Sequence, residues 1–303
     1  MEITESLNND LKTAPNWFHK AISEKPRIET LTQSLGNLRY QVWDKENSKN
    51  IILLVHGTGA HKKWWDPIAP LINDNCSVIA PDLPGMGESE HRSEYSFEAF
   101  GEAIIAILNH EKAMGGNKQV YLIGHSLGGH LAGYIASEMP DFPAGLIMID
   151  SPIRPPTYDY DKHQSAGPLR RIKYYPDKIS IIERFRLMPP QECENQYLLD
   201  FIAEKSVRKT DQGWSWTFDP STYDNLEVGN DQHETINQLD CPVSFIYGEN
   251  TMEFDTGNSI EEMKELLPEG SSIVALADAQ HHLMLDKPLE FVEELDKLIQ
   301  GFF

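Results

Sequence analysis

A serine stands between two glycines in the segment Gly124-His-Ser126-Leu-Gly128, a spacing typical of a serine that acts as a nucleophile. The run 120–123 before it is apolar, as a buried strand is, and a helical pattern begins near Leu127. A sharp turn from strand to helix lifts the hydroxyl above the edge of a sheet, and the glycines give this turn its clearance. The helix N-terminus favours negative charge on the oxygen of an attacked carbonyl group. The segment therefore predicts nucleophilic attack by Ser126, with a glycine-flanked turn capped by the serine as the alternative.

The elements that must position this serine are short apolar runs alternating with amphipathic stretches of helical length. We predict strands at 39–43, 51–55, 77–80, 119–123, 145–149, 242–247 and 272–276, and helices at 96–112, 127–139, 259–267 and 288–300. Several of the strands are apolar at consecutive positions, as strands buried on both faces of a parallel sheet are. The alternation predicts an α/β fold.

Composition restricts the partners that the chain can have. Of the 303 residues 47 are acidic and 26 basic, which gives a formal net charge of −21. Because this charge disfavours nucleic acid and anionic membrane surfaces, we expect neither as a partner and expect a small or weakly charged substrate. There is no C-x-x-C, no H-E-x-x-H and no glycine-rich phosphate loop, so we expect no metal and no cofactor.

The N-terminus has neither a basic start nor an apolar run, and the longest apolar runs are too short to cross a bilayer. The three cysteines, Cys76, Cys193 and Cys241, are too far apart in the chain to suggest a disulfide framework. We therefore expect a cytoplasmic protein. The sequence leaves the oligomeric state open.

Several motifs occur in the order found in the α/β-hydrolase superfamily, and the sequence resembles its capped serine esterases and lipases. Besides the segment around Ser126, the motifs are His56-Gly57-Thr58-Gly59, Pro81-Asp-Leu-Pro-Gly85-Met-Gly87-Glu-Ser89 and His281-His-Leu-Met-Leu-Asp286-Lys-Pro288. The resemblance covers roughly residues 30–153 and 236–303. It implies a doubly wound, mostly parallel eight-stranded sheet.

The same resemblance implies roles for three further positions. The family's catalytic histidine precedes an acidic-x-Pro sequence by five residues, which selects His281 as general base over His282. The family's oxyanion hole uses one amide after the nucleophile and one in the loop after the third strand. In this chain these are the backbone N–H groups of Leu127 and Thr58. We expect His56 and His125 to have structural roles.

The acid of the triad departs from the family's usual pattern. That pattern is Gly-x-x-Asp after the seventh strand, but here the loop reads Gly248-Glu-Asn-Thr251, and threonine carries no charge. The resemblance then implies an acid at the end of the sixth strand, where Asp150 stands. Glu253 and Asp255 remain as alternative acids.

Residues 154–235 interrupt the alternation of strands and helices. A structureless loop of about 80 residues is uncommon in a compact domain. We therefore predict a helical cap at 154–235, inserted between the two parts of the hydrolase core, 1–153 and 236–303. Three of its aromatic residues, Trp214, Trp216 and Phe218, either pack together or line an apolar substrate site.

These residues predict a serine hydrolase that cleaves carboxylic esters of small or apolar substrates through an acyl-enzyme. Thioesterases, lactonases and carbon–carbon bond hydrolases share the same motifs and remain alternatives. Ser126 argues against the dehalogenases and epoxide hydrolases of this superfamily, whose nucleophile is an aspartate. A ligand-binding protein without catalytic activity is the alternative from another class, and the threonine at position 251 is the feature that favours it.

Overall fold

The computed structural model describes residues 11–46, 48–72, 75–115, 118–153, 171–223, 232–251 and 260–302. Its strands are β1 (Arg27–Gln33), β2 (Gly36–Trp43), β3 (Asn50–Val55), β4 (Cys76–Pro81), β5 (Gln119–His125), β6 (Pro143–Ile149), β7 (Val207–Thr210), β8 (Gly213–Trp216), β9 (Val243–Gly248) and β10 (Ser272–Leu276). Its helices are α1 (Asn16–Ser23), α2 (Phe97–Gly115), α3 (Leu127–Glu138), α4 (Lys178–Ile182), α5 (Gln196–Lys205), α6 (Gln232–Asn237), α7 (Ile260–Leu266), α8 (Leu283–Asp286) and α9 (Pro288–Gln300). Within these ranges no helix combines the length and the apolar character needed to cross a bilayer.

Eight strands form one sheet in the order β1-β2-β4-β3-β5-β6-β9-β10. The pairs β1–β2 and β2–β4 are antiparallel, and the other neighbours are parallel. This confirms the predicted α/β fold with its mostly parallel, eight-stranded sheet. β1 is the strand of this sheet that the sequence patterns missed, because it alternates between partly buried and exposed positions and has only two aliphatic residues, Ile28 and Leu31.

The central strands are buried on both faces of the sheet. Along β3, Ile52 and Leu54 belong to one hydrophobic cluster, while Leu53 and Val55 belong to another. Successive side chains of a strand point to opposite faces, so the two clusters lie on the two sides of the sheet. Burial on both faces explains the runs of consecutive apolar residues.

The register of the parallel strands brings their carboxyl ends to one edge. Val55 pairs with Gly124 and His125 with Ile149. Ile149 in turn pairs with Ile246, and Gly248 with Leu276. The loops that follow these ends meet above this edge, which is where ligands bind in open α/β sheets.

The described part of the predicted cap, 171–223, contains the helices α4 and α5 and an antiparallel hairpin of β7 and β8. A small apolar cluster of its own holds it together, with Ile181, Ile182 and Val207 buried. The sequence patterns did not indicate the hairpin. The division of the chain at 153/154 and 235/236 stays a prediction, since 154–170 and 224–231 lie outside the described residues.

Candidate active site

Ser126 lies in the sharp turn between β5 and α3. Its φ of 54° and ψ of −122° are rare for a residue with a side chain, and such a backbone costs on the order of 1–3 kcal/mol. Its N–H donates to Ile149 O at 3.0 Å, and its carbonyl accepts from Gly129 N at 2.9 Å, which starts the helix. This is the strand–turn–helix geometry predicted for the segment.

The two glycines of the motif are required by close backbone approach. A Cβ on Gly124 would lie 2.0 Å from Gly128 O, and a Cβ on Gly128 would lie 2.3 Å from Val55 O. Both distances are far below van der Waals contact with backbone atoms that cannot move aside. The motif's spacing is therefore what lets α3 begin directly against the ends of β3 and β5.

The predicted oxyanion positions lie on both sides of the serine. Leu127 is the first residue of α3, so its N–H is one of the helix-terminal amides that have no acceptor within the helix. Thr58 lies in a turn closed by a bond from Ala60 N to Gly57 O at 3.2 Å. This turn lies against Ser126, since a Cβ on Gly57 would be 3.1 Å from Ser126 Cβ.

His56 holds in place the loop 56–60, which contains the predicted oxyanion donor Thr58. Its Nδ1 donates to Gly57 O at 2.8 Å, and its Nε2 accepts from Leu83 N at 3.1 Å, which leaves the ring neutral. Burial lowers the pKa of His56, in agreement with a neutral ring. His56 therefore acts on the backbone, as expected.

His125 links the turn at Ser126 to the histidine loop, residues 280–286. Its Nε2 lies 2.9 Å from His281 O, and because a carbonyl only accepts, His125 is the donor. Burial, followed by the proximity of His281, lowers the pKa of His125 well below its usual range. The bond fastens the loop that carries His281 beside the residue preceding Ser126.

The structure brings His281 and Asp150 together. Nδ1 of His281 lies 3.5 Å from Oδ1 of Asp150, and both side chains are buried. The contact is longer than an ordinary N–H···O bond of about 2.9 Å, so a shift of about half an ångström would complete it. Asp150 follows the last residue of β6 and has a φ of 45°, which turns the chain at the strand end.

The second oxygen of Asp150 is held by one donor at the end of β9 and one in the loop that follows it. Oδ2 accepts from the hydroxyl of Thr251 at 2.5 Å and from Gly248 N at 3.0 Å. These bonds leave Oδ1 directed at His281. The alternative acids, Glu253 and Asp255, lie outside the described residues, so the choice among the three carboxylates stays a prediction.

His282 faces away from Asp150. Its Nδ1 lies 2.7 Å from Gln191 Oε1, and its ring lies 5.5 Å from the ring of Trp64. Burial and the neighbouring His281 lower the pKa of His282 well below its usual range. The geometry thus separates the two adjacent histidines, and His281 is the one beside the carboxylate.

A buried ion pair braces the loops around the site. Nζ of Lys62 lies 2.6 Å from Asp82 Oδ2 and 2.6 Å from Glu88 Oε2, and Lys62 N donates to Asp82 Oδ1 at 2.7 Å. Lys62 and Asp82 have essentially no exposed surface. This pair joins the segment after the loop 56–60 to the turn 82–89. The motif Pro81–Ser89 therefore has a structural role.

The aromatic residues of the inserted segment mainly pack. Trp214 and Trp216 cover the small cluster formed by Ile181, Ile182, Ala203 and Val207, and Lys178 lies over the Trp214 ring at 6.0 Å. Phe218 packs against the core cluster on one face of the main sheet.

In the described part of the chain, no group of three or more His, Cys, Asp or Glu side chains is arranged to hold a metal ion.

Two residues near the site had no sequence signal of their own. In the sequence, Thr251 was notable only because it stands where an acid was expected. In the structure, its hydroxyl donates to the carboxylate of Asp150, which faces His281. Gln191 is one polar residue among many in the inserted segment, yet its amide reaches His282 and Asp286. Both contacts join positions about 90 to 100 residues apart in the chain, so only the folded structure reveals them.

Several known proteins are similar to this chain. A serine hydrolase-like protein of Danio rerio is 27% identical over 196 residues, which are 61% of this chain and 59% of the relative. This chain thus spans about three fifths of that protein's length. A monoacylglycerol lipase of Xenopus laevis, abhd6-B, is 24% identical over 270 residues, 84% of this chain and 77% of the relative.

Among solved structures, the thioesterase domain of the curacin biosynthetic pathway superposes with a TM-score of 0.72 at 21% identity, covering 89% of this chain and 99% of that domain. At this identity the likeness is one of fold. The sequence pattern of the alpha/beta hydrolase family matches residues 52–294 and so spans the turn at Ser126, the inserted segment and the loop that carries His281. The chain belongs to the alpha/beta hydrolase family.

Proposed function

We propose that this enzyme is a serine hydrolase that cleaves carboxylic esters of small or apolar molecules through an acyl-enzyme. The observation that carries the proposal is the position of Ser126, at positive φ between β5 and α3, beside a histidine loop in which His281 faces Asp150. The lipase among its relatives supports ester cleavage.

In the proposed mechanism, Oγ of Ser126 attacks the ester carbonyl while Nε2 of His281 takes the hydroxyl proton. Asp150 orients His281 through Nδ1 and stabilises the charged ring. The N–H groups of Leu127 and Thr58 bind the oxygen that becomes negative, and each such donor contributes roughly 3 kcal/mol. His281 returns the proton to the leaving alcohol. Water then attacks the acyl-enzyme by the same route and releases the acid.

A fluorophosphonate probe and a series of nitrophenyl esters with graded acyl length test this proposal. We expect the wild-type protein to be labelled and to hydrolyse at least one ester. Ser126→Ala should lose the label and at least about 10³-fold in kcat. Ser137→Ala is the matched control, because Ser137 lies in α3 with its hydroxyl bonded to Tyr134 O.

The alternatives give different results. A ligand-binding protein with an idle serine neither reacts with the probe nor turns over any ester. A thioesterase, lactonase or carbon–carbon bond hydrolase reacts with the probe but prefers the corresponding thioester, lactone or diketone over the oxygen ester. More than about one per cent of wild-type activity in Ser126→Ala would exclude Ser126 as the nucleophile.

A further inference from the structure

The peptide group that joins His281 to His282 is held from both sides. Its carbonyl accepts from Nε2 of His125 at 2.9 Å, and its N–H donates to Oε1 of Gln191 at 2.8 Å. His125 ends β5 next to the nucleophile, whereas Gln191 lies between α4 and α5 in the inserted segment. Rotation of this peptide group would swing the side chain of His281, because the group is attached directly to its Cα.

Gln191 uses both ends of its amide on the histidine loop. Nε2 lies 3.0 Å from each oxygen of the Asp286 carboxylate, which only accepts, so the amide nitrogen faces Asp286. Oε1 accepts from His282 Nδ1 at 2.7 Å as well as from His282 N. Asp286 also accepts from Gln280 N at 2.8 Å. The one side chain therefore joins His282 to Asp286 within the turn 280–286.

Neighbouring residues of the same segment extend this contact. Nδ2 of Asn195 donates to Leu285 O at 2.7 Å and to Asp286 O at 3.0 Å. In the other direction, Nε2 of Gln280 donates to Glu192 O at 3.2 Å. The stretch 191–195 is thus bonded along the whole turn that carries His281.

We infer that Gln191 is a positioning residue for His281, through which the inserted segment sets the orientation of the general base. The inference rests on the proposed function, since it assigns Gln191 a role in that reaction. Misplacing a catalytic group by about 1 Å costs on the order of 10²-fold in rate. Gln191 acts only through the backbone and side chain of His282 and through Asp286, so it does not touch the reacting atoms.

Gln191→Met tests the inference because methionine keeps the length of the side chain and removes its hydrogen bonds. We expect kcat for an activated ester to fall about 10- to 100-fold, with KM changed less than about threefold. Gln196→Met is the matched control, because the Gln196 amide bonds Asp200 at 2.7 Å within α5 instead. If Gln191→Met lowers the thermal stability but leaves kcat per labelled molecule unchanged, the residue is only structural and the inference is wrong.

Gln191→Glu adds a readout that a structural role would not produce. The introduced carboxylate would repel Asp286 when ionised, whereas its protonated form accepts from His282 and donates to Asp286 as the amide does. Among the described residues, the ionisable groups around this position are His282 and Asp286. Lys287 and Cys193 act on Asp286, and His281 and His125 act on His282. The like charge of Asp286 raises the pKa of the introduced carboxyl above its ordinary value of about 4.3, so the ratio of variant to wild-type kcat should rise as the pH falls from about 8 to about 5.5. A ratio independent of pH contradicts the inference.

Amide hydrogen exchange separates this inference from the proposed function. Exchange in the peptide 280–286 should be faster in Gln191→Met than in the wild type and unchanged in Gln196→Met. Unchanged exchange in Gln191→Met overturns the inference. If the wild type is active and Gln191→Met has the same kcat, the inference is also wrong, whereas the proposed function is unaffected. A wild type that is neither labelled nor active overturns both.

Discussion

The hydroxyl of Thr251 donates a 2.5 Å hydrogen bond to Oδ2 of Asp150, whose other oxygen lies 3.5 Å from Nδ1 of His281. Position 251 follows β9, where the sequence's resemblance to the family leads one to expect the acid. Here that position supplies a donor to a carboxylate on the neighbouring strand β6. Thr251 therefore supplies a hydrogen-bond donor to the carboxylate that we predict to be the acid, at the end of β6.

Thr251→Val should lower both stability and catalysis, because it removes a hydrogen bond to a fully buried carboxylate. Such bonds contribute about 1.5–3 kcal/mol, and we expect a loss of that size in the free energy of unfolding. With one donor fewer, Asp150 is held less firmly beside His281, so kcat/KM should fall as well. Thr251→Ser keeps the hydroxyl and should resemble the wild type in both measurements.

Asp150→Asn should reduce kcat by about 10³–10⁴ at neutral pH, since the amide cannot stabilise a charged His281 or select its tautomer. Glu253→Gln and Asp255→Asn should each stay within about tenfold of the wild type. Steady-state hydrolysis of one activated ester by all three variants decides the matter. If Glu253→Gln or Asp255→Asn loses most of its kcat while Asp150→Asn stays active, the acid is in the loop after β9.

Trp216→Ala should act mainly on stability. Trp216 covers the small cluster of the inserted segment, and its ring lies 6.3 Å from the ring of Phe185. Because the side chain is only partly buried, we expect a loss of about 1–3 kcal/mol in the free energy of unfolding. The ratio of kcat/KM between short and long acyl esters should not change. A changed ratio with unchanged stability would instead make Trp216 part of the substrate site.

Glu88 should contribute to the acid sensitivity of the fold. Burial raises its pKa, but hydrogen bonds from Lys62 and Lys63 outweigh burial and lower the pKa from 4.5 to about 2. A lowered folded-state pKa stabilises the fold above the unfolded value, and this contribution disappears as the pH falls from about 4.5 to about 2. Urea unfolding should show wild type more stable than Glu88→Gln at neutral pH, with the difference shrinking over that interval. Because 42% of the side chain is exposed, the difference should be small, at most about 1 kcal/mol.

The sequence alone determined the fold class and predicted the nucleophile, because both inferences depend on short-range patterns. Buried strands appear as runs such as Ile51 to Val55, and the turn at Ser126 requires glycines two residues away on each side. The edge strand β1 and the hairpin of β7 and β8 were not predicted because they carry few aliphatic side chains: two in β1, one in β7 and none in β8.

The side chains around Ser126 and His281 can be identified only from the tertiary structure. Asp150 and Thr251 are 101 residues apart, and Gln191 and His282 are 91 apart, so no local pattern relates either pair. Parallel pairing of β6 with β9 and of β9 with β10 brings the first pair and His281 to one edge of the sheet. Hydrogen bonds of about 3 Å form only after that pairing has fixed the loops, and so the partners of His281 can be assigned only in the folded chain.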